Sequence, residues 1–223
     1  TVIDFACPNK GETLHQGLEL WHKKADGNCC CDYGFHMTID DWNPGIEAEI
    51  DDMYAAGISS FKMYMTYPAM MIGDEAMYHA LKKLKEKGGI CGVHCENSGV
   101  IDALIAEKKA AGQMGVGSHP RTRPDFLEAE AVSRLLRIAQ AVDIPVVAIG
   151  GIRADRIQPL KGTGADGVAV VSAIFGQPDI EAAARRLKET AEMYLGRHRC
   201  RKTVLTIAGS DSSGGAGIQA DLK

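Results

Sequence analysis

The sequence predicts an α/β protein with a mainly parallel sheet, and two regularities support this fold class. Short β-branched or apolar runs alternate with longer amphipathic stretches along the whole chain, which is the pattern of repeated β/α units. Glycine accounts for 25 of the 223 residues, above the usual ~7%, as expected where many tight turns connect such units. We therefore expect strands and helices to alternate from the first residues onward.

Seven runs are predicted to be strands, and helices are predicted between them. In chain order the strands lie near residues 1–6, 29–36, 58–66, 89–95, 145–150, 167–174 and 203–209. Helices are expected where apolar residues recur at spacings of three and four, because that spacing gives a helix one buried face. Such series are Leu14, Leu18 and Trp21; Ile46, Ile50 and Met53; Met77, Leu81 and Leu84; and Leu127, Ala131, Leu135 and Ile138. Gly88 is expected to end the third helix in a left-handed conformation.

One connection and the two ends differ from this regular pattern. Residues 111–124 form a polar stretch with two prolines, which is long for a simple connection and predicts a functional loop. Residues 1–5 already have the pattern of a strand, and residues 217–223 that of the first turns of a helix. The chain is therefore expected to start and stop inside folded elements.

Composition and charge exclude several classes of protein. Hydrophobic residues at 45% and charged residues at 24% are average for a globular chain and exclude disorder, and no apolar run approaches the ~20 residues that span a bilayer. The net charge is −4, without a long basic block, so neither a membrane nor nucleic acid is an expected partner. The seven cysteines, three of them consecutive at 29–31, include no C-x-x-C pair, which favours a reducing, cytoplasmic environment.

A lysine lies inside the apolar run F-K-M-Y-M-T-Y of residues 61–67. Period-two alternation places Lys62, Tyr64 and Thr66 on one face of the predicted strand. Such a lysine is either functional or extends its ammonium group past the apolar surroundings into water. A buried amine has a lowered pKa, is nucleophilic and can add carbon dioxide to form an anionic carbamate.

The next predicted strand ends in G-V-H-C-E-N, residues 92–97. If the fold is a β/α barrel, side chains at the C-terminal ends of the strands form the site, and Lys62 and His94 would stand side by side. The histidine is either a hydrogen-bonded structural residue or a metal ligand. A zinc site of Cys91, His94 and Cys95 is not favoured, because the two cysteines straddle the faces of the strand.

Five motifs together resemble the dihydropyrimidinase and D-hydantoinase family, cyclic amidohydrolases built on a metal-dependent TIM barrel. They are T-V-I-D-F, D-Y-G-F-H, F-K-M-Y-M-T-Y, G-V-H-C-E-N and H-P-R-T-R-P-D-F-L-E-A-E-A, and the resemblance covers residues 1 to about 147. It implies that Lys62 is a carboxylated lysine between two divalent metal ions, with zinc as the expected metal, and that His94 is a metal ligand. It also implies that Tyr67 contacts the ring carbonyl of the substrate or stabilises the oxyanion. The implied reaction is hydrolysis of the cyclic amide of a dihydropyrimidine or hydantoin.

Other parts of that family's metal site have no counterpart in the sequence. The H-x-H pair of the family's first strand should precede Thr1, the strand at 145–147 continues as A-I-G-G-I without the expected histidine, and no late-strand aspartate matches. The sequence therefore predicts an incomplete metal centre, because metal affinity depends on a complete set of ligands. It also predicts an incomplete or rearranged barrel, whose exposed parallel edges favour homo-oligomers.

The following segment resembles a different barrel enzyme. The runs D-I-P-V-V-A-I-G-G-I (143–152) and G-A-D-G-V-A-V-V-S-A-I-F (164–175) are similar to the last two strands of thiamine-phosphate synthase, a resemblance that extends from about 143 to 196. The resemblance implies phosphate binding at Gly150, Gly151 and Ser172. Without it, the same residues are two turn glycines and a serine at a strand end.

The last segment, 203–223, resembles the start of hydroxymethylpyrimidine (phosphate) kinase, which has the ribokinase-like fold. This resemblance implies pyrimidine contacts at Gly209 and Asp221. The chain is thus predicted to be composite: a partial amidohydrolase barrel (1–147), two β/α units of a synthase-like barrel (148–201) and a truncated kinase start (202–223).

Three functions remain open from the sequence. The first is hydrolysis of a small-molecule cyclic amide, and the second is a thiamine-biosynthesis protein acting on a phosphorylated thiamine precursor. The third is a non-catalytic composite or fragment.

Overall fold

Four parallel strands in sequence order form the sheet of the first part of the chain. The computed structural model describes residues 1–196, which divide into two units, Thr1–Val142 and the residues from Asp143 onward. The strands of the first unit are β1 (Val2–Ala6), β2 (Tyr33–Thr38), β3 (Ser60–Tyr64) and β4 (Ile90–His94), paired in the order β1-β2-β3-β4. Helices connect them, as expected of β/α units.

The helices of the first unit begin and end at residues suited to those positions. They are α1 (Leu14–Ala25), α2 (Pro44–Ala55), α3 (Asp74–Lys87), α4 (Ser98–Ala110) and α5 (Asp125–Val142). Thr13 and Gln16 form a capping box at the start of α1, which satisfies amides that lack a partner within the helix. Asn43 and Asn97 cap α2 and α4, and Gly88 ends α3 with φ of 73°, as predicted.

One face of the sheet packs against the helices and forms the core. Its residues Ala6, Met37, Phe61 and Met63 are almost fully buried, and they alternate with residues of the opposite face. The helices contribute the apolar residues of the predicted series, including Leu14, Ile50, Met53, Met77 and Leu84. The helices therefore cover this face of the sheet, and Lys62, Tyr64 and His94 lie on the opposite face.

The second unit contains two short parallel strands. They are β5 (Val147–Ile149) and β6 (Gly167–Ala169), followed by α6 (Ser172–Phe175) and α7 (Ile180–Leu195). The carboxylate of Asp166 accepts a hydrogen bond of 2.7 Å from the amide of Val146, which fixes the start of the pairing. The predicted strand at 167–174 was wrong beyond Ala169, because Ser172–Phe175 is helical; a short apolar run has no periodicity that separates strand from helix.

The structure confirms an α/β fold and an incomplete barrel. The strands of residues 1–196 form one sheet of four and one of two and do not close into a barrel. Residues 29–32, predicted as part of a strand, precede β2 and are not in it. The predicted strand at 203–209 lies outside the described residues. Within residues 1–196, the structure contains no helix with the length and apolar character needed to cross a membrane.

Candidate functional site

Lys62, Tyr64 and His94 lie on the open face of the β3–β4 pair. In the register of the two strands Lys62 is paired with Gly92 and Tyr64 with His94, and paired residues of parallel strands point to the same side. Tyr64 and His94 are the last residues of their strands. Lys62 and His94 therefore share a face, as predicted, but they are diagonal neighbours rather than directly opposite.

The Lys62 amine lies among rings and thiols. Its Nζ is 4.9 Å from the ring centroid of Tyr64 and 5.7 Å from that of Phe5. Burial lowers the pKa of Lys62, and the nearby thiols, Cys91 foremost, partly oppose this. Within the part of the chain that the structure describes, no salt bridge joins this amine to a carboxylate, and burial is the main cause of its lowered pKa.

Tyr67 brings a second aromatic ring to His94. Their ring centroids are 5.4 Å apart, and the Tyr64 ring is 6.1 Å from that of His94. Tyr67 has φ of 68°, a left-handed conformation that is uncommon for residues other than glycine. Backbone strain of this kind occurs often at functional sites, and the site role of Tyr67 stays a prediction.

Two further residues of this region were not predicted as site residues. His36 on β2 is paired with Phe5, is 6% exposed, and its Nδ1 lies 2.6 Å from the hydroxyl of Ser60. Burial, and after it the positive charge of Lys62, lowers the pKa of His36. Arg123, from the loop before α5, pairs with Glu96. The strand pattern indicated the face of His36, but nothing in the sequence indicated the contact of Arg123.

A complete metal centre does not fit the described residues. Among residues 1–196 no group of three or more His, Cys, Asp or Glu side chains is placed to hold a metal ion, and protein zinc sites use three or four such ligands. Lys62 and His94 supply at most two ligands. The metal-binding role predicted for these two residues thus stays a prediction.

A cavity of about 440 Å³ lies in the first unit, and Lys62, Tyr67 and His94 do not line it. Its walls include Met65 and Met71 after β3, Asn97 before α4, Asp74 of α3 and Arg134 of α5. Arg134 pairs with Asp74 at 3.3 Å and with Glu130 at 3.3 Å.

The predicted phosphate-binding residues follow the two strands of the second unit. Gly150 and Gly151 come directly after β5 with φ of 115° and 57°, and Ser172 begins α6. Ile149 is paired with Ala169, so both loops leave the same end of this sheet. Gly209 and Asp221 lie outside the described residues.

Curated and solved proteins of the amidohydrolase type are similar to most of the chain. D-hydantoinase of Streptomyces coelicolor is 38% identical over 150 residues, covering 67% of this chain and 32% of the relative. Dihydropyrimidinase of Rattus norvegicus is 38% identical over 147 residues, covering 65% and 28%. The crystal structure of dihydropyrimidinase from Brevibacillus agri has a TM-score of 0.67 at 32% identity, covering 81% of this chain and 42% of that one. The chain therefore spans about a third of the length of the curated relatives it matches.

A second similarity overlaps the first. The sequence model of the thiamine monophosphate synthase family matches residues 67–174, just under half of the chain. This match begins well before residue 143, where the synthase-like motif was predicted to start. The resemblance to both families is confirmed, and because the two matches overlap, the boundary near residue 147 stays a prediction.

Proposed function

We propose that the first unit, Thr1–Val142, is part of a cyclic-amide hydrolase and that the Lys62–His94 face is its contribution to the active site. The observation that carries the proposal is the shared face of Lys62 and His94, with the Tyr67 ring 5.4 Å from the His94 ring. The similarity to D-hydantoinase and dihydropyrimidinase over about two thirds of the chain supports it. The substrate class is a dihydropyrimidine or hydantoin.

In this proposal each residue of the face has one task. The Lys62 amine forms a bond to the carbon of carbon dioxide and releases one proton, giving a carbamate anion. The carbamate and His94 would hold divalent metal ions, with zinc as the expected metal, and Tyr67 would donate a hydrogen bond to the substrate's carbonyl. When bound, the ions supply polarisation of the amide carbonyl. Residues 1–196 supply too few ligands, so we expect the chain alone to bind zinc weakly.

Zinc retention and hydrolysis test the proposal together. The purified 223-residue chain, assayed with excess zinc and bicarbonate, should bind zinc weakly and open a dihydropyrimidine or hydantoin ring faster than the protein-free rate. Lys62→Met and His94→Gln should each lose both properties, while Lys24→Met, at an exposed lysine of α1, should keep them. Equal zinc retention and equal hydrolysis by wild type and Lys62→Met would overturn the hydrolase assignment.

A thiamine-pathway function is the second candidate, favoured by the family match over residues 67–174. Gly150 and Gly151 would hold a phosphate through their backbone amides, with Ser172 adding a hydroxyl donor. Binding of a phosphorylated thiazole, followed by ³¹P NMR, should be weakened in Gly150→Val if this candidate is right. The pyrimidine contacts of Gly209 and Asp221 belong to the same candidate. If neither ligand class binds, the chain is a non-catalytic composite.

Homo-oligomers are part of the proposal because the sheet edges are open. Within residues 1–196, β1 and β4 each pair on one side only, and Val2, Ile3 and Ile90 are 41–52% exposed. Light scattering after gel filtration should therefore give a mass above that of one chain.

A cytoplasmic location is also proposed, because the cysteine usage favours a reducing environment.

A further inference from the structure

Arg123, Glu96 and His94 form a continuous polar chain at the end of β4. His94 Nε2 is 2.8 Å from Glu96 Oε2, and Glu96 Oε1 is 3.4 Å from Arg123 Nε. We propose that Glu96 and Arg123 are positioning residues that fix the orientation and the tautomer of the His94 ring. What this means for catalysis rests on the proposed function, but the positioning itself does not.

The chemistry of the contact determines which ring nitrogen carries the proton. A carboxylate accepts hydrogen bonds and has no proton to donate. Nε2 of His94 must therefore be the donor, and in the neutral ring Nδ1 then keeps the lone pair. Nδ1 is consequently the nitrogen with which His94 can bind a cation or accept a proton.

Burial strengthens the contacts of Glu96 with His94 and Arg123. The side chains of Glu96 and Arg123 are 14% and 19% exposed, and that of His94 is 28% exposed. Charge-assisted hydrogen bonds that are shielded from water are stronger and less screened than surface pairs. The rings of Tyr64 and Tyr67 pack near His94 and restrict the imidazole further.

The loop before α5 holds Arg123 in place. Thr122 is 4% exposed, and its hydroxyl donates a 2.9 Å hydrogen bond to the carbonyl of His119. Its amide donates to the carbonyls of Ser118 and His119 at 3.2 Å, and Pro124 follows Arg123 directly. This loop is the H-P-R-T-R-P segment for which the sequence predicted a function, and its turn places Arg123 against β4.

Repulsion explains why Glu96 needs Arg123. Burial raises the pKa of Glu128 on α5, the negative charge of Glu96 raises it further, and His94 partly opposes this. Without a cation between β4 and α5, Glu96 would be pushed away from Glu128 or exposed to water. Arg123 neutralises this repulsion and keeps Glu96 directed at His94.

Proton NMR of the full chain labelled with ¹⁵N-histidine tests the proposal directly. The wild type should show a slowly exchanging Nε2–H of His94, assigned by its loss in His94→Gln. Glu96→Ala and Arg123→Met should make this proton exchange with water much faster. Arg123→Lys, which keeps the charge, should restore most of the protection. Glu130→Gln is the matched control, because the Glu130 carboxylate accepts a hydrogen bond of 2.8 Å from the Asn97 side chain. This variant should leave the His94 signal unchanged.

Each outcome separates this proposal from the proposed function. If Glu96→Ala does not fold, Glu96→Gln keeps the shape, and its weaker acceptor should still speed exchange. Unchanged exchange in Glu96→Gln and Arg123→Met would overturn the positioning role, whatever the activity. If the protein hydrolyses cyclic amides, Glu96→Ala should also lower zinc affinity by roughly 10- to 100-fold. If it hydrolyses none, the exchange results stand alone.

Discussion

Lys62 lies opposite Gly92 across the β3–β4 pair, and His94 lies opposite Tyr64. A Cβ at position 92 would be 3.6 Å from Cδ of Lys62, an ordinary contact, so the lysine stem runs past a position without a side chain. The amine is thus in the middle of the face, and the aromatic rings are at its C-terminal end. The Lys62 amine, with its lowered pKa, therefore shares a face with the His94 ring. That ring contacts Glu96 and lies near the rings of Tyr64 and Tyr67.

Replacing Lys62 with methionine should stabilise the fold in a pH-dependent way. Burial lowers the pKa of Lys62 below its usual 10.5, so the unfolded state binds more protons than the folded state between these two values. The stability of the wild type therefore rises with pH in that window. Urea unfolding should show Lys62→Met to be more stable at pH 7, with the difference shrinking toward pH 10.5. A constant or growing difference would contradict this.

The buried His36 should make the wild type less stable in acid. Burial and Lys62 lower its pKa below 6.5, so the stability contributed by the neutral ring is present above pH 6.5 and is lost as the pH falls below it. His36→Gln should flatten the profile of unfolding free energy between pH 7 and 5. A flat wild-type profile between pH 7 and 5 would refute the prediction.

The left-handed backbone of Tyr67 should cost stability. Both Tyr67→Ala and Tyr67→Gly remove the ring, but only glycine adopts φ of 68° without strain. We expect the glycine variant to be more stable than the alanine variant by about 1–2 kcal/mol. Paired urea titrations measure the difference. An alanine variant as stable as the glycine variant would show that the strain is absent.

The hydroxyl of Tyr54 should be dispensable. Its oxygen is buried and has no hydrogen-bond partner among residues 1–196, and burying an unpaired hydroxyl is unfavourable. Tyr54→Phe should therefore be more stable by about 1 kcal/mol. Tyr33→Phe is the contrast, because the Tyr33 hydroxyl donates to Asp26, and it should be neutral or slightly less stable. Thermal unfolding of both variants measures these differences. A loss of stability in Tyr54→Phe would contradict the buried, unpaired position of the Tyr54 hydroxyl.

The shared face of Lys62 and His94 could be predicted from the sequence, and the register could not. Alternation along two consecutive parallel strands fixes which face each residue occupies. The sequence alone does not say which residues stand opposite, because that depends on where the helix between the strands ends. The actual pairing, Lys62 with Gly92, therefore emerged only from the structure.

Contacts between residues that are far apart along the chain also could not be predicted from the sequence. Arg123 reaches Glu96 because Thr122 and the adjoining carbonyls turn the loop before α5, and no periodic pattern encodes such a turn. The run after β6 was predicted as strand because its residues are apolar and β-branched, yet Ser172–Phe175 is helical. Short apolar runs are compatible with both structures until their tertiary contacts are known.

The most direct test is ¹³C NMR of the chain in ¹³C-labelled bicarbonate, with Lys62→Met and Lys24→Met alongside. We expect one carbamate carbon signal that is present in the wild type and in Lys24→Met and absent in Lys62→Met. A spectrum without that signal, or a signal that persists in Lys62→Met, would contradict the claim that the Lys62–His94 face is part of a cyclic-amide hydrolase site.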